Sequence, residues 1–300
     1  MEMTDYMCSR KSIHLLTYGA SIDLFSLHHE IPKSEVEEIL KNDNMIYCTF
    51  FTTTYRGIWK GKEVVIKVFK IEGSVSWTSF TKEITLLSIL SHPNLCPFYG
   101  ASTDKEMPFL VMKYIPRETL RDILKREREA KDPKERVLDT SLVVNMCMNA
   151  ANGLHYLHQK KLIHGYIKPE NFLIDEHYNL FLMNFGVTDK CIYNILPHDS
   201  FIWMAPEVLA DKERDHRSDS FSLAIVLWEM VAKKVPYNDI VPRFEIVFKI
   251  LQERFREEIP DDVDPQLGQV IRRLWEQEVD ARMEMEHLLE VLYEMRDGLG

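Results

Sequence analysis

The sequence predicts an α+β chain in two lobes, a small antiparallel sheet carrying one helix and then a larger, mainly helical lobe. Three observations predict it. Between positions 45 and 69 the chain is rich in Thr, Phe, Tyr, Ile and Val in short strand-like runs. From position 141 onward apolar residues recur at helical spacing, with Leu142, Met146, Ala150, Leu154 and Leu157 forming one stripe. A single helical stretch, 77–90, stands between the strand-rich segments.

Three hundred residues, 45% apolar and 28% charged, suffice to bury a substantial core. With 37 basic against 47 acidic residues the net charge is −10, which argues against nucleic acid or an anionic membrane as the main partner. Five cysteines stand far apart at 8, 48, 96, 147 and 191 with no C-x-x-C pair, so reduced thiols and no metal site are expected. Met1-Glu2-Met3-Thr4-Asp5 carries acids where a signal peptide carries a basic stretch. The apolar run 221–232 is broken by Ser222 and Glu229 and falls short of the ~20 residues of a membrane span. A buried helix without a membrane span, and a cytoplasmic location, are the expectations.

Taken in order, residues 1–44 form a short helical N-terminal extension, with Ser34-Glu35-Val36-Glu37 read as a capping box ahead of Val36, Ile39 and Leu40. Strands follow, with a tight turn at Lys60-Gly61-Lys62. In the strand Glu63 to Phe69, period-two alternation puts Val65, Lys67 and Phe69 on one face and Val64, Ile66 and Val68 on the other. Lys67 is thus a lone charge in an apolar strand, and Glu83, on the face of Phe80 and Leu87, is its expected ion-pair partner. A strand at 108–115 and a helix at 118–124 come next. The charged run 125–136 is read as a solvated helix end or loop.

These stretches resemble the protein kinase superfamily. Val64-Val65-Ile66-Lys67 looks like the V-A-I-K strand, His164-Gly165-Tyr166-Ile167-Lys168-Pro169-Glu170-Asn171 like the H-R-D catalytic loop, and Asn184-Phe185-Gly186 like D-F-G. Ala205-Pro206-Glu207 looks like A-P-E, and Asp219 and Arg282 fall at further matching positions. The resemblance implies a bilobal protein kinase-like fold over 45–297, with an N-lobe over 45–113 carrying a C helix and a C-lobe over 114–297. It implies nucleotide contacts at Lys67, Glu83, Val65 and the gatekeeper Met112, and structural roles for Glu207, Asp219 and Arg282.

The same comparison exposes departures. Tyr166 stands where the catalytic aspartate belongs, and a phenol stays protonated at neutral pH. Asn184 offers a hard dication one neutral oxygen. Lys168 and Asn171 are retained. The three glycine positions of the phosphate loop fall on Tyr47, Thr49 and Thr52, residues that favour continuous strand, and Val65 fills the adenine slot. The expectation is therefore a pseudokinase that is not an enzyme, with no cofactor, ATP as at most a weak ligand and no magnesium. Gly165 removes the arginine that reads a phosphate on the activation segment, leaving Thr188, Tyr193 and Ser200 as phosphorylation candidates without their usual receptor.

Within the tyrosine-kinase-like group, Lys67-Val68-Phe69-Lys70, Phe80-Thr81-Lys82-Glu83-Ile84, Thr119-Leu120-Arg121 and His164-Gly165-Tyr166-Ile167 resemble the mixed lineage kinase domain-like pseudokinases of necroptosis. That likeness implies a truncated, poxvirus-like form lacking the four-helix domain, a decoy that sequesters another protein kinase domain of the receptor-interacting type. Val64-Val65-Ile66-Lys67, Ser91-His92-Pro93-Asn94 and 217–237 resemble integrin-linked kinases, which implies a scaffold bound to an adaptor protein. A weakly active serine/threonine protein kinase binding ATP is the remaining alternative.

Overall fold

The computed structural model describes residues 29–48, 52–70, 73–116, 118–185 and 200–299. Expectations for Cys8, Thr49, Gly186, Thr188, Cys191 and Tyr193 lie outside the described residues. The chain forms two compact units. One takes the described residues up to Ser91 together with Pro97–Tyr114, and the other takes His92–Cys96 and the described residues from Ile115 onward.

The first unit is built on five antiparallel strands: β1 (Met45–Cys48), β2 (Thr52–Trp59), β3 (Lys62–Phe69), β4 (Phe98–Ser102) and β5 (Phe109–Lys113), in the order β1-β2-β3-β5-β4. Lys60 and Gly61, both at positive φ, close the hairpin between β2 and β3, as the right-handed strand twist favours. The alternation expected for β3 is present: Val64 and Ile66 are fully buried, whereas Val65, Lys67 and Phe69 are half-buried. Helix α1 (Gly73–Ile89) brings Phe80 onto the Phe69 face, ring centroids 5.0 Å apart.

The opposite face is closed by the segment ahead of β1. Ile31, Val36 and Ile39 join Val64, Ile66, Phe109 and Val111 in one core cluster, each burial contributing roughly 1.5–3 kcal/mol. Glu30 and Ala101 form a parallel bridge that ties this segment to β4. A Cβ on Gly57 would lie 2.5 Å from Ile39 Cγ2, so the missing side chain on β2 is what admits Ile39 to the sheet.

The capping box expected at Ser34 does not form. A 3-10 turn spans Lys33–Glu35 with Pro32 at its N-cap and no side-chain cap. The sheet overrides the local signal: Ile31 and Val36 are drawn into the core, and the Glu35 carboxylate instead accepts from Trp59 Nε1 at 3.0 Å and pairs with Lys60 at 2.9 Å.

The second unit has a small sheet, β6 (Glu118–Thr119), β7 (Phe172–Ile174) and β8 (Leu180–Leu182), and seven helices among the described residues. These are α2 (Leu120–Glu129), α3 (Thr140–Gln159), α4 (Pro206–Leu209), α5 (Arg217–Ala232), α6 (Phe244–Phe248), α7 (Pro265–Leu274) and α8 (Met285–Leu299). Thr119 and Asp122 form a reciprocal capping box at the start of α2, satisfying two orphan N–H groups. Helix α3 packs on α5 and α8, and α5 is buried at every residue from Ser218 to Met230. No helix among the described residues is long and apolar enough to cross a membrane.

The run 125–136 is a helix end and a loop, as read: helix α2 stops at Glu129 and most of the run is exposed, but Glu127 departs from the solvated reading at 1% exposed. Its carboxylate accepts from the Val137 N–H at 2.6 Å and lies 3.5 Å from Lys233. Charge count alone predicts solvent, but a buried carboxylate is stable once loop N–H groups and a cation replace water.

Candidate active site

The site begins with a buried carboxylate. Asp219, in the first turn of α5, accepts from the backbone N–H groups of His164 and Gly165, both at 2.8 Å, and from His158 Nε2 at 2.9 Å. Burial alone would raise its pKa, but the bond and charge of His158, with the Gly165 N–H, hold it below the usual carboxylate range. His164 is itself fully buried, and burial pushes its imidazole down to about 4, so the ring is neutral. Its Nδ1 accepts from the Tyr166 N–H at 3.2 Å.

Gly165 has φ +74, a left-handed conformation that is costly for residues bearing a Cβ. The residue that removed a phosphate-reading arginine therefore also suits the turn. The loop continues to a 3-10 turn, Pro169–Asn171, from which Asn171 Nδ2 donates to the Tyr166 carbonyl at 2.6 Å. That bond orients the Asn171 amide, so its Oδ1 faces Asn184, whose Nδ2 donates to it at 3.0 Å. Asn184 is at φ +59, a region in which Asn is among the best tolerated non-glycine residues.

Tyr166, Lys168 and Ser200 come together. Lys168 Nζ donates to Tyr166 Oη at 2.6 Å and lies 4.3 Å from the ring centroid. Ser200 Oγ is 3.2 Å from the same phenol oxygen. Lys168 is 8% exposed and Ser200 5%. Ser200, one of the expected phosphorylation candidates, is buried in a 3-10 turn, Ser200–Trp203. His158 and Ser200 are site neighbours that motif matching missed or misplaced, because each is defined by a contact from a distant segment.

The residues do not fit a magnesium ion. Asn171 and Asn184 offer neutral amide oxygens, and one of these already accepts a hydrogen bond, whereas the ion favours carboxylates. No cluster of three His, Cys, Asp or Glu suited to a metal occurs among the described residues.

Glu207 and Arg282, predicted as structural, form a buried bidentate pair, with Ser218 Oγ also donating to Glu207 at 2.7 Å. In the first unit, Val65 and Met112 are cross-strand partners, and Lys67 shares the Val65 face. Tyr47 lies exposed in β1, and Thr52 opens β2. The expected Lys67–Glu83 ion pair is absent among the described residues: Lys67 Nζ lies 4.9 Å from the Phe69 ring centroid instead. Both side chains are only half-buried, so water solvates each charge and removes the penalty that would have forced pairing.

The family described as protein tyrosine and serine/threonine kinase matches residues 40–292, and the chain belongs to it. It is similar to the serine/threonine-protein kinase STY17 of Arabidopsis thaliana, 28% identical over 99% of this chain and 53% of the relative. A probable serine/threonine-protein kinase of Dictyostelium discoideum is 31% identical over 94% of this chain and 20% of its own length. The serine/threonine-protein kinase CTR1 of Arabidopsis thaliana is 28% identical over 81% of this chain and 30% of its own length. The chain thus spans about half or less of these relatives.

These relatives correct one expectation. The chain was expected not to be an enzyme, yet its family and the named kinases that it resembles point to one. The physical reason is that loss of two carboxylates bears on the chemical step, while the frame around the loop is maintained by Asp219, His158 and Asn171.

Proposed function

We propose that this chain is a weakly active serine/threonine protein kinase that takes ATP as a weak ligand and phosphorylates a protein hydroxyl in the cytoplasm. The observation that carries the reading is the ordered catalytic loop, which holds the Lys168 amine against the Tyr166 hydroxyl at 2.6 Å. In this reading the first unit, taken by itself, offers ATP the side chains of Val65, Met112 and Lys67. The substrate hydroxyl hydrogen-bonds to Tyr166 Oη, its oxygen attacks the γ-phosphorus, and the bond from that phosphorus to ADP breaks. Tyr166 orients the hydroxyl without taking its proton, which leaves on the transferred phosphoryl group. Lys168 supplies positive charge as the reaction proceeds. Without a carboxylate base or a fitted metal site, turnover is slow.

The test is transfer of labelled phosphate from ATP to a general protein acceptor by the wild type, Lys67→Met and Lys168→Ala. Slow transfer reduced by either substitution supports the reading; transfer untouched by both, or none from the wild type, overturns it.

A second reading is favoured by the Asn171–Asn184 amide pair, which stands where metal-binding chemistry would be expected. In it the chain acts by protein–protein contact, as a decoy for a receptor-interacting kinase or as an integrin-linked-kinase-like scaffold. A pull-down with a receptor-interacting kinase domain tests it, and absence of a complex removes the decoy.

A further inference from the structure

We infer that Arg121 is a positioning residue of this site, a guanidinium that fixes the catalytic loop through Glu170 and the Ser200–Trp203 turn through Trp203. The inference deepens the kinase reading above and rests on it only for the effect on phosphate transfer. Arg121 stands in the first turn of α2. Its Nε and Nη2 both donate to Glu170 Oε1, at 2.9 and 2.7 Å, and Glu170 lies in the 3-10 turn between Lys168 and Asn171. The same guanidinium has its Cζ 5.2 Å from the Trp203 ring centroid. Trp203 is buried and ends the turn that carries Ser200, whose Oγ lies 3.2 Å from Tyr166 Oη.

The helix itself does not explain an arginine here. A cation in the first turn faces the positive end of the helix dipole, so it gains nothing from α2 and its stabilisation comes from Glu170. Glu170 in turn has no other cation among the described residues, and its Oε2 is buried without a hydrogen-bond partner. Glu229 is the weaker claimant on Arg121. Its Oε1 is 3.6 Å from Arg121 Nη1, beyond hydrogen-bond reach, and takes Arg128 at 3.1 Å instead. Burial also raises the Glu229 carboxyl to about 7, which lessens its pull.

Removing Arg121 therefore leaves the Glu170 carboxylate without a countercharge in the turn that aims Lys168 and Asn171. A misplacement of about 1 Å in such a turn costs about a hundredfold in rate. The contact with Trp203 is lost at the same time, which loosens the turn beside Tyr166.

The experiment follows amide hydrogen exchange and phosphate transfer from ATP to a general protein acceptor in the full chain and its variants. Arg121→Ala should speed exchange at 166–171 and 200–203 while leaving α3 protected. Glu170→Gln should loosen 166–171 alone, and the two substitutions together should do no more than Arg121→Ala. Arg121→Lys, with a single donor group, should restore part of the protection. In transfer, Arg121→Ala should lower kcat about tenfold to a hundredfold with the KM for ATP unchanged. Glu229→Gln should leave exchange at both segments as in the wild type. Exchange that rises equally in α3 marks a merely structural role and overturns the inference. So do additive effects of the two substitutions, or a Glu229→Gln variant as loose as Arg121→Ala. A wild type that transfers no phosphate removes the kinase reading, and exchange at the two segments then decides the positioning role alone.

Discussion

Arg282 grips Glu207 through two parallel hydrogen bonds of 2.7 Å, and neither residue is more than 7% exposed. The pair joins the turn before α8 to the short helix α4, and Arg282 also donates to the backbone carbonyls of Arg217 and Glu276. Removing one partner leaves a buried charge unmatched, so Arg282→Ala should destabilise the fold by about 3–5 kcal/mol. Arg282→Lys should lose a large part of the same stability, because an ammonium cannot reproduce the bidentate fork. Urea unfolding of the two variants measures this. Burial would raise the Glu207 pKa, but the Arg282 bonds hold it lowered. The stability linked to that shift is therefore present above the ordinary carboxylate pKa and lost as pH falls through the lower folded value.

Glu229 should behave in the opposite sense. It is completely buried on α5, 3.1 Å from Arg128 and 3.6 Å from Arg121. Burial pushes its carboxyl up to about 7, against the pull of the two arginines. A raised folded pKa means that the native state binds the proton more tightly. Its contribution is thus full below the ordinary glutamate pKa of about 4.3 and is lost as pH rises toward about 7. Glu229→Gln, which keeps the protonated shape, should flatten this part of the profile. Thermal unfolding of both proteins between these limits checks it, and parallel profiles would refute it.

Lys67 and Glu83 should show almost no coupling. Both are half-buried, and Lys67 rests near the Phe69 ring. A double-mutant cycle with Lys67→Met and Glu83→Gln should return an interaction energy within about 0.5 kcal/mol of zero. A coupling above about 2 kcal/mol would show that the pair forms in solution.

Gly57→Ala should destabilise the first unit through the segment packed beneath it. The new methyl would lie 2.5 Å from Ile39 Cγ2, and the overpacking should cost about 1–3 kcal/mol. Combining it with Ile39→Ala should recover part of that loss if the clash is the cause. A double variant with strictly additive losses would remove the explanation.

The sequence by itself determined the order of elements and the family. Strand alternation in β3 and the stripe of α3 are local patterns, and each survives in the structure. Tyr166 and Asn184 were visible as departures for the same reason, since a motif is read residue by residue. Tertiary structure decided what the charges and polar groups do. Ser34 lost its cap because Ile31 and Val36 are buried against the sheet, and Lys67 did not need Glu83 because water reaches it. Glu127 became buried because the N–H groups of Val137 and Leu138 turn toward it. Ser200 reached Tyr166 across 34 positions of chain. Pairing depends on solvent access and on distance through space, and neither quantity is written in the spacing of residues along the chain.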